Sequence, residues 1–111
     1  MADLDGDNQL LYDLAELFRV FGDTTRVRIL WCLAQSDMCV SHLAERLRMS
    51  QSAVSHQLRI LKSARLVRVT RQGRNAIYGL DDQHVKAIFD QALQHVSHTS
   101  MGRENKNEPD R

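Results

Sequence analysis

Residues 40–63 decide the fold, and they read VSHLAERLRMSQSAVSHQLRILKS. A short first helix is predicted from apolar residues at helical spacing, namely Val40, Leu43, Ala44 and Leu47. Met49 and Ser50 form a tight break, and Ser50 is a typical N-cap for a second helix over residues 51–63. A short helix, a tight turn and a second helix together predict a helix-turn-helix.

The second of these helices has two different faces. Its apolar face carries Val54, Leu58 and Leu61 at spacings of four and three. Its polar side carries Gln51, Ser52, Ser55, His56, Arg59 and Lys62. Hydroxyl, amide and guanidinium groups suit contacts with base edges and phosphates in a DNA major groove. Because polar faces are common on surface helices, this face indicates DNA binding only together with the charge of the surrounding segment.

Basic residues are concentrated around the same motif. Residues 46–74 contain eight Arg or Lys side chains and no Asp or Glu, although the 111-residue chain as a whole has a net charge of only +1. A merely solvated basic face usually has acidic residues interspersed. The uninterrupted charge therefore favours an anionic partner, most often double-stranded nucleic acid.

A β-hairpin is predicted immediately after the helix-turn-helix. Residues 66–71 and 75–80 form the two strands around the turn Gln72-Gly73-Arg74. Arg71 and Arg74 lie at the tip, where they are predicted to contact the DNA backbone or the minor groove. With helices also predicted over residues 8–21 and 24–35, and a turn at residues 36–38, the fold class is mainly α (α+β). It is a winged helix-turn-helix with about five helices and a hairpin wing.

A metal site is predicted near the C-terminus, where residues 81–98 lack Gly and Pro and form the last helix. This helix carries His84, His95 and His98, and Asp82 is predicted at its start, because side chains two residues apart would diverge on a regular helix. His84 and His95 are about 16 Å apart along a helix, whereas metal–nitrogen bonds are about 2 Å. One helix therefore cannot close the site, but two antiparallel copies in a homodimer can. One carboxylate and three imidazoles suit Zn(II) or Co(II); the alternative for each histidine is a simply solvated side chain.

The length and composition limit the other possibilities. At 111 residues the chain is predicted to be one domain over residues 1–98, followed by a disordered polar tail over residues 99–111, with residues 1–7 frayed. No apolar run indicates a signal peptide or membrane span, and two cysteines are too few for a disulfide scaffold, so a cytoplasmic protein is predicted. No nucleophile–base pairing or phosphate-binding Gly loop indicates an enzyme.

Three motifs resemble those of the ArsR/SmtB family of metal-sensing repressors. They are residues 21–30 (FGDTTRVRIL), residues 50–59 (SQSAVSHQLR), and the Asp82/His84 and His95/His98 pairs, which are similar to the sensor site of the zinc/cobalt branch. The resemblance covers about residues 10–98. It implies a homodimer that binds operator DNA in its metal-free form, with its first and last helices at the dimer interface, and is released by Zn(II) or Co(II).

Two alternatives stay open. One is a winged-helix regulator with a thiol, redox or soft-metal sensor at Cys32 and Cys39. Ser41 stands where other branches of the family have a second cysteine, which favours Cys39 as a non-ligand, and Cys32 is predicted to lie in the core. The other alternative is a metal-buffering protein that does not bind DNA, which the basic segment argues against.

Overall fold

The computed structural model describes the main chain of residues 4–106 and the side chains of residues 6–98. The elements, in chain order, are α1 Leu4–Phe21, α2 Thr24–Gln35, β1 Met38–Cys39, α3 Val40–Leu47, α4 Gln51–Ser63, β2 Val67–Gln72, β3 Asn75–Leu80 and α5 Gln83–Lys106. These elements divide into two compact units, with the boundary between Asp81 and Asp82. The predicted winged helix-turn-helix with five helices is confirmed.

The first unit has its core among α2, α3, α4 and the sheet. The largest fully buried side chains are Ile29, Leu30, Cys32, Leu43, Val54, Leu58 and Leu61. Burying one such aliphatic side chain contributes about 1.5–3 kcal/mol. Three members of this set are the predicted apolar face of α4, so the orientation of that helix predicted from the sequence is confirmed.

Side-chain caps and a left-handed residue fix the ends of the helices around the helix-turn-helix. The Asp23 carboxylate accepts a hydrogen bond from the Arg26 N–H at 3.0 Å, and the Ser50 hydroxyl accepts one from the Ala53 N–H at 3.0 Å. Arg48 ends α3 with φ of 59° in the left-handed region. This turn redirects the chain within the three residues 48–50, which brings α4 against α3.

The three strands form one antiparallel sheet in the order β1-β3-β2. The hairpin of β2 and β3 (the wing, residues 67–80) turns at Gly73, whose φ of 64° favours glycine. β1 pairs Met38 with Tyr78 and Cys39 with Ile77. The turn predicted at residues 36–38 is therefore wrong at Met38, because a strand partner 40 residues away supplies the hydrogen bonds that the local sequence does not indicate.

Two helices are longer than predicted. α1 begins at Leu4 rather than Asn8, so residues 4–7 are helical; residues 1–3 lie outside the described residues. α5 continues to Lys106, past the predicted end at His98, so the disordered tail predicted for residues 99–111 is helical over residues 99–106. Residues 107–111 lie outside the described part. Arg, Glu, Met and Lys in this stretch have high helix propensity even without an apolar stripe.

Large apolar side chains are exposed on three helices. On α1 they are Leu10, Leu11, Tyr12, Leu14 and Phe18, on α2 Trp31, and on α5 Ile88, Leu93 and Val96. Exposed apolar surface of this extent marks an interaction site in soluble proteins. Within residues 4–106, none of the helices is long and apolar enough to cross a membrane.

Candidate nucleic-acid interface and metal-ligand helix

The polar side of α4 is accessible. Side chains predicted to contact DNA are exposed at Gln51, Ser52, His56, Arg59 and Lys62, and Ser55 is half-buried. The opposite side of the helix is held in the core by Val54, Leu58 and Leu61, each no more than 1% exposed. α4 therefore presents one fixed polar face to solvent, as a recognition helix requires.

Ser50 has a structural role in addition to its predicted contact with DNA. Its Oγ accepts the hydrogen bond from the Ala53 N–H and lies 3.3 Å from the Ser52 Oγ. A serine hydroxyl that accepts one hydrogen bond can still donate its own proton. The N-terminus of α4 thus combines a cap with backbone N–H groups that favour a nearby anion such as a phosphate.

Two arginines of α2 hold the helix-turn-helix in place. The Arg26 Nη1 donates to the Gln57 Oε1 at 3.2 Å, and its Nε donates to the Val20 carbonyl oxygen at 2.7 Å. The Arg28 Nη2 donates to the Leu47 carbonyl oxygen at the end of α3, at 3.2 Å. Sequence reasoning missed these positioning residues, because their partners are 6 to 31 residues away.

The arginines of the wing differ in their surroundings. Arg71 near the end of β2 and Arg74 in the turn are exposed, as the predicted contact with DNA requires. Arg68, near the base of β2, instead forms an ion pair with Asp37, with the Nη2 to Oδ2 distance at 3.3 Å. The wing therefore carries exposed arginines at its tip and an ion-paired arginine near its base.

Asp82 and His84 lie together at the start of α5. The Asp82 Oδ1 accepts a hydrogen bond from the Val85 N–H at 3.1 Å, which confirms the predicted position of Asp82 at the helix start. The Asp82 Oδ2 is 3.6 Å from the His84 Nδ1. The Val85 N–H, and to a lesser extent His84, lower the pKa of the Asp82 carboxyl. The carboxylate is therefore ionised at neutral pH, as metal coordination requires.

His95 and His98 are exposed near the middle of the same helix. Among the described residues of one chain, no group of three or more His, Cys, Asp and Glu side chains comes close enough to hold a metal ion. One chain thus brings Asp82 and His84 together but not all four residues. Whether two chains complete the predicted quartet stays a prediction.

The two cysteines are in different environments. Cys32 is 1% exposed, which confirms its predicted place in the core. Cys39 is half-buried just before α3, with its Sγ 3.2 Å from the Ser41 Oγ. Hydrogen bonds from the Ser41 hydroxyl and from the His42 backbone N–H lower the pKa of the Cys39 thiol. Cys39 therefore has more thiolate character than an ordinary cysteine.

A helix-turn-helix with an accessible polar face, followed by a basic β-hairpin, defines the class of winged helix-turn-helix proteins. Residues 23–69 match the family described as "Bacterial regulatory protein, arsR family". The chain belongs to this family. Its members are regulators, so the chain is a regulatory protein and not an enzyme.

Three known proteins illustrate the similarity. A "Transcriptional repressor SmtB homolog" of Synechocystis sp. is 45% identical over 83 residues, which are 75% of this chain but only 63% of the relative. A "Cadmium resistance transcriptional regulatory protein CadC homolog" of Staphylococcus aureus is 34% identical over 84 residues, covering 75% of this chain and 69% of the relative. The solution structure of the homodimeric winged helix-turn-helix domain Mb0332 from Mycobacterium bovis has a TM-score of 0.78, 26% identity and 93% coverage of both chains.

Proposed function

We propose that this protein is a cytoplasmic, homodimeric and metal-responsive transcriptional repressor. Its metal-free dimer binds operator DNA, and Zn(II) or Co(II) releases it. The observation that carries the proposal is the exposed polar face of α4 within a segment of eight basic and no acidic residues. The DNA contacts assigned to it are Ser50, Gln51, Ser52, Ser55, His56, Arg59, Lys62, Arg71 and Arg74.

In this proposal α4 enters the major groove and the wing tip contacts the adjacent backbone or minor groove. Two copies of α4 in a dimer would read two half-sites about 34 Å apart on a pseudo-palindromic operator. The logarithm of the DNA-binding constant falls linearly with the logarithm of the salt concentration. Each phosphate neutralised by Lys or Arg adds about 0.9 to the magnitude of this slope, called the salt slope below. A strong salt dependence is therefore expected.

The exposed apolar residues of α1 and α5 support a homodimer. Phe18 and Tyr12 of α1 are 59% and 71% exposed, which is unusual for aromatic side chains of a soluble monomer. The similar Mycobacterium bovis domain is described as homodimeric. In the proposed arrangement the α5 helices of the two chains also lie within reach of each other.

The donor set on α5 fits a borderline divalent cation. Asp82 and His84 of one chain would bind it together with His95 and His98 of the partner subunit. The four side chains offer carboxylate oxygen and imidazole nitrogen without sulfur, which suits Zn(II) and Co(II). All four are exposed, and the Asp82 carboxylate is ionised at neutral pH. A bound metal ion would join the two chains and favour one dimer geometry over another.

The coupling between the two ligands sets a quantitative requirement. If metal favours a dimer geometry that mismatches the operator, DNA must weaken metal binding by the same factor. Changing DNA occupancy from 99:1 to 1:99 requires a difference of about 5.5 kcal/mol between the two states. The Staphylococcus aureus relative is named for cadmium resistance, so cadmium belongs in the same titrations as zinc and cobalt.

The test begins with DNA duplexes selected from a random pool by the metal-free protein. Adding Zn(II) should release the selected duplex from the wild type but not from His95→Ala. His42→Ala, which removes an exposed histidine of α3 far along the chain from the quartet, is the matched control and should respond like the wild type. Failure of the wild type to select any duplex would revive the metal-buffering alternative.

A second measurement separates the proposed site from a thiol site. An anaerobic Co(II) titration should give intense tetrahedral absorption at one ion per protomer without a thiolate charge-transfer band. Loss of the signal in His84→Ala would support the site, and an unchanged signal would exclude it. A thiolate band would move the sensor to a cysteine.

The lowered pKa of Cys39 favours a thiol sensor as the second candidate function. In that case a thiol oxidant would release DNA from the wild type but not from Cys39→Ser. Cys32 is an unsuitable partner in such a sensor because it is buried in the core.

A further inference from the structure

Three residues form one row across the sheet near the base of the wing. Arg68 of β2 lies opposite Gly79 of β3. On the other side of β3, Met38 pairs with Tyr78, so Asp37 precedes β1 at the position opposite Gly79. The Arg68 guanidinium passes over the central strand and meets the Asp37 carboxylate, with 3.3 Å between Nη2 and Oδ2. An ion pair thus crosses β3 and connects β2 with the residue that precedes β1.

Gly79 makes this crossing possible. A Cβ at residue 79 would collide with the Asp37 carboxylate and would lie 3.0 Å from the Arg68 Nη1. The φ angle of Gly79 is not in the left-handed region, so backbone conformation does not require glycine here. The space over Gly79 is instead filled by the Asp37–Arg68 pair. The glycine is therefore a steric requirement of the ion pair.

The ion pair lies where the wing meets the helix-turn-helix. β1 has only two residues and pairs with β3 at two positions. It leads directly into α3, since Val40 follows Cys39. Two ladder positions at an edge are a weak attachment, and the Asp37–Arg68 pair adds a contact beside them. This contact restrains the wing relative to the start of α3.

Arg68 differs in this respect from the other arginines of the wing. Its Nη1 also lies 3.5 Å from the Thr70 Oγ1, so both ends of the guanidinium have partners. Among the described residues Arg71 and Arg74 form no ion pair. Among the described arginines of the wing, Arg71 and Arg74 thus have an unpaired charge to place on a phosphate.

We propose that Arg68 is a positioning residue that orients the wing through Asp37 rather than a residue that contacts DNA. The inference rests on the proposed DNA binding and assigns separate roles within its basic segment. Arg71 and Arg74 supply the charge, and the Asp37–Arg68 pair fixes where that charge is presented. Because both side chains are nearly half exposed, the pair is expected to change affinity by about two- to five-fold.

The test compares Arg68→Gln, Asp37→Asn and the double variant on the same selected duplex over a range of salt concentrations. A positioning role predicts that both single variants bind about two- to five-fold more weakly, that the double variant is no weaker than either, and that the salt slope is unchanged. Arg71→Gln is the matched control, and it should lower the salt slope by about 0.9. Amide exchange without DNA should be faster at Met38 and Tyr78, which pair between β1 and β3, in both single variants.

The outcomes separate the inference from the proposed function. Failure of the wild type to bind DNA would contradict the proposed function. If the wild type binds, two results together would overturn the positioning role. Arg68→Gln would lower the salt slope as much as Arg71→Gln does, and Asp37→Asn would bind DNA as tightly as the wild type or more tightly. Unchanged amide exchange in both single variants would overturn it independently of DNA. Gly79→Ala should reproduce the faster exchange of the ion-pair variants.

Discussion

Arg26 and Gln57 are joined by a hydrogen bond of 3.2 Å from guanidinium to amide oxygen, although 31 residues separate them in the chain. The same guanidinium donates to the carbonyl oxygen of Val20 at 2.7 Å. One side chain therefore connects the end of α1, the start of α2 and the middle of α4. Any movement of α1 at the proposed dimer interface has a direct polar path to the proposed recognition helix.

Replacing Arg26 by alanine should destabilise the protein. The substitution leaves the Val20 carbonyl and the Gln57 amide oxygen without this donor, and an unsatisfied part-buried polar group costs about 1–3 kcal/mol. Urea denaturation should show a loss of this size in the free energy of unfolding. Arg46→Ala on the exposed side of α3 is the control and should change it by less than about 0.5 kcal/mol. Equal losses in the two variants would contradict the linking role.

Ser50→Ala should lower stability by about 1 kcal/mol through loss of the α4 N-cap. Ser50→Gly should cost only a few tenths of a kcal/mol, because glycine is tolerated at this position. Thermal denaturation of both variants gives the comparison. If alanine and glycine lower stability equally, the hydroxyl acts through its contact with the Ser52 hydroxyl rather than through the cap.

Truncating a side chain on the apolar face of α4 should lower stability, whereas truncating one on its polar face should affect DNA binding. Leu58→Ala, at a side chain only 1% exposed, should lower the free energy of unfolding by about 2–5 kcal/mol. Lys62→Ala should leave stability within about 0.5 kcal/mol and lower the salt slope of DNA binding by about 0.9. Urea denaturation and binding titrations at several salt concentrations measure the two effects. A salt slope unaffected by Lys62→Ala would remove that residue from the DNA interface.

The metal response should fade as pH falls from 7 to 5. Imidazole ligands must be neutral, and imidazole ordinarily titrates near pH 6.5. The pKa of Asp82 is lowered, so its carboxylate stays ionised over this range and protonated imidazole accounts for the loss. Zinc occupancy measured by equilibrium dialysis at each pH gives the result directly. Occupancy unchanged at pH 5 would exclude the histidines as ligands.

The same lowered pKa has a consequence for stability. A carboxylate with a depressed folded-state pKa stabilises the protein above its unfolded-state pKa, and this contribution is lost as pH falls through the folded-state pKa. Asp82→Asn should therefore lower stability at pH 6–8 and leave it nearly unchanged below the folded-state pKa, so that the acid side of the stability profile becomes flatter. Acid titrations of the two proteins followed by circular dichroism provide the check.

Local sequence signals predicted most of the helix-turn-helix correctly. Asp23 and Ser50 are capping residues adjacent to periodic apolar positions, so the starts of α2 and α4 were predictable within the chain segment that forms them. β1 was not predictable, because two residues cannot display alternation and its pairing depends on Tyr78 and Ile77. The length of α5 was missed because its last two turns carry no apolar periodicity.

Long-range polar contacts were the least predictable part of the candidate site. Arg68 belongs to the uninterrupted basic segment, and nothing in that segment indicates that Asp37, 31 residues earlier, neutralises it. The position of Asp82 at the start of α5 was predictable from its two-residue spacing to His84. The joint action of Asp82, His84, His95 and His98 depends on a second chain, so it stays a prediction.

The apolar residues exposed on α1 and the polar face of α4 belong to different helices, and this separation has a genetic consequence. If the chain dimerises through the exposed α1 surface as proposed, an allele altered only at Arg59 or Lys62 would still make chains that assemble through Phe18 and its neighbours. In a cell that expresses both alleles, half of randomly paired dimers would be mixed and would carry one impaired recognition helix. Such alleles should be dominant over the wild type, whereas alleles that disrupt the α1 surface should be recessive.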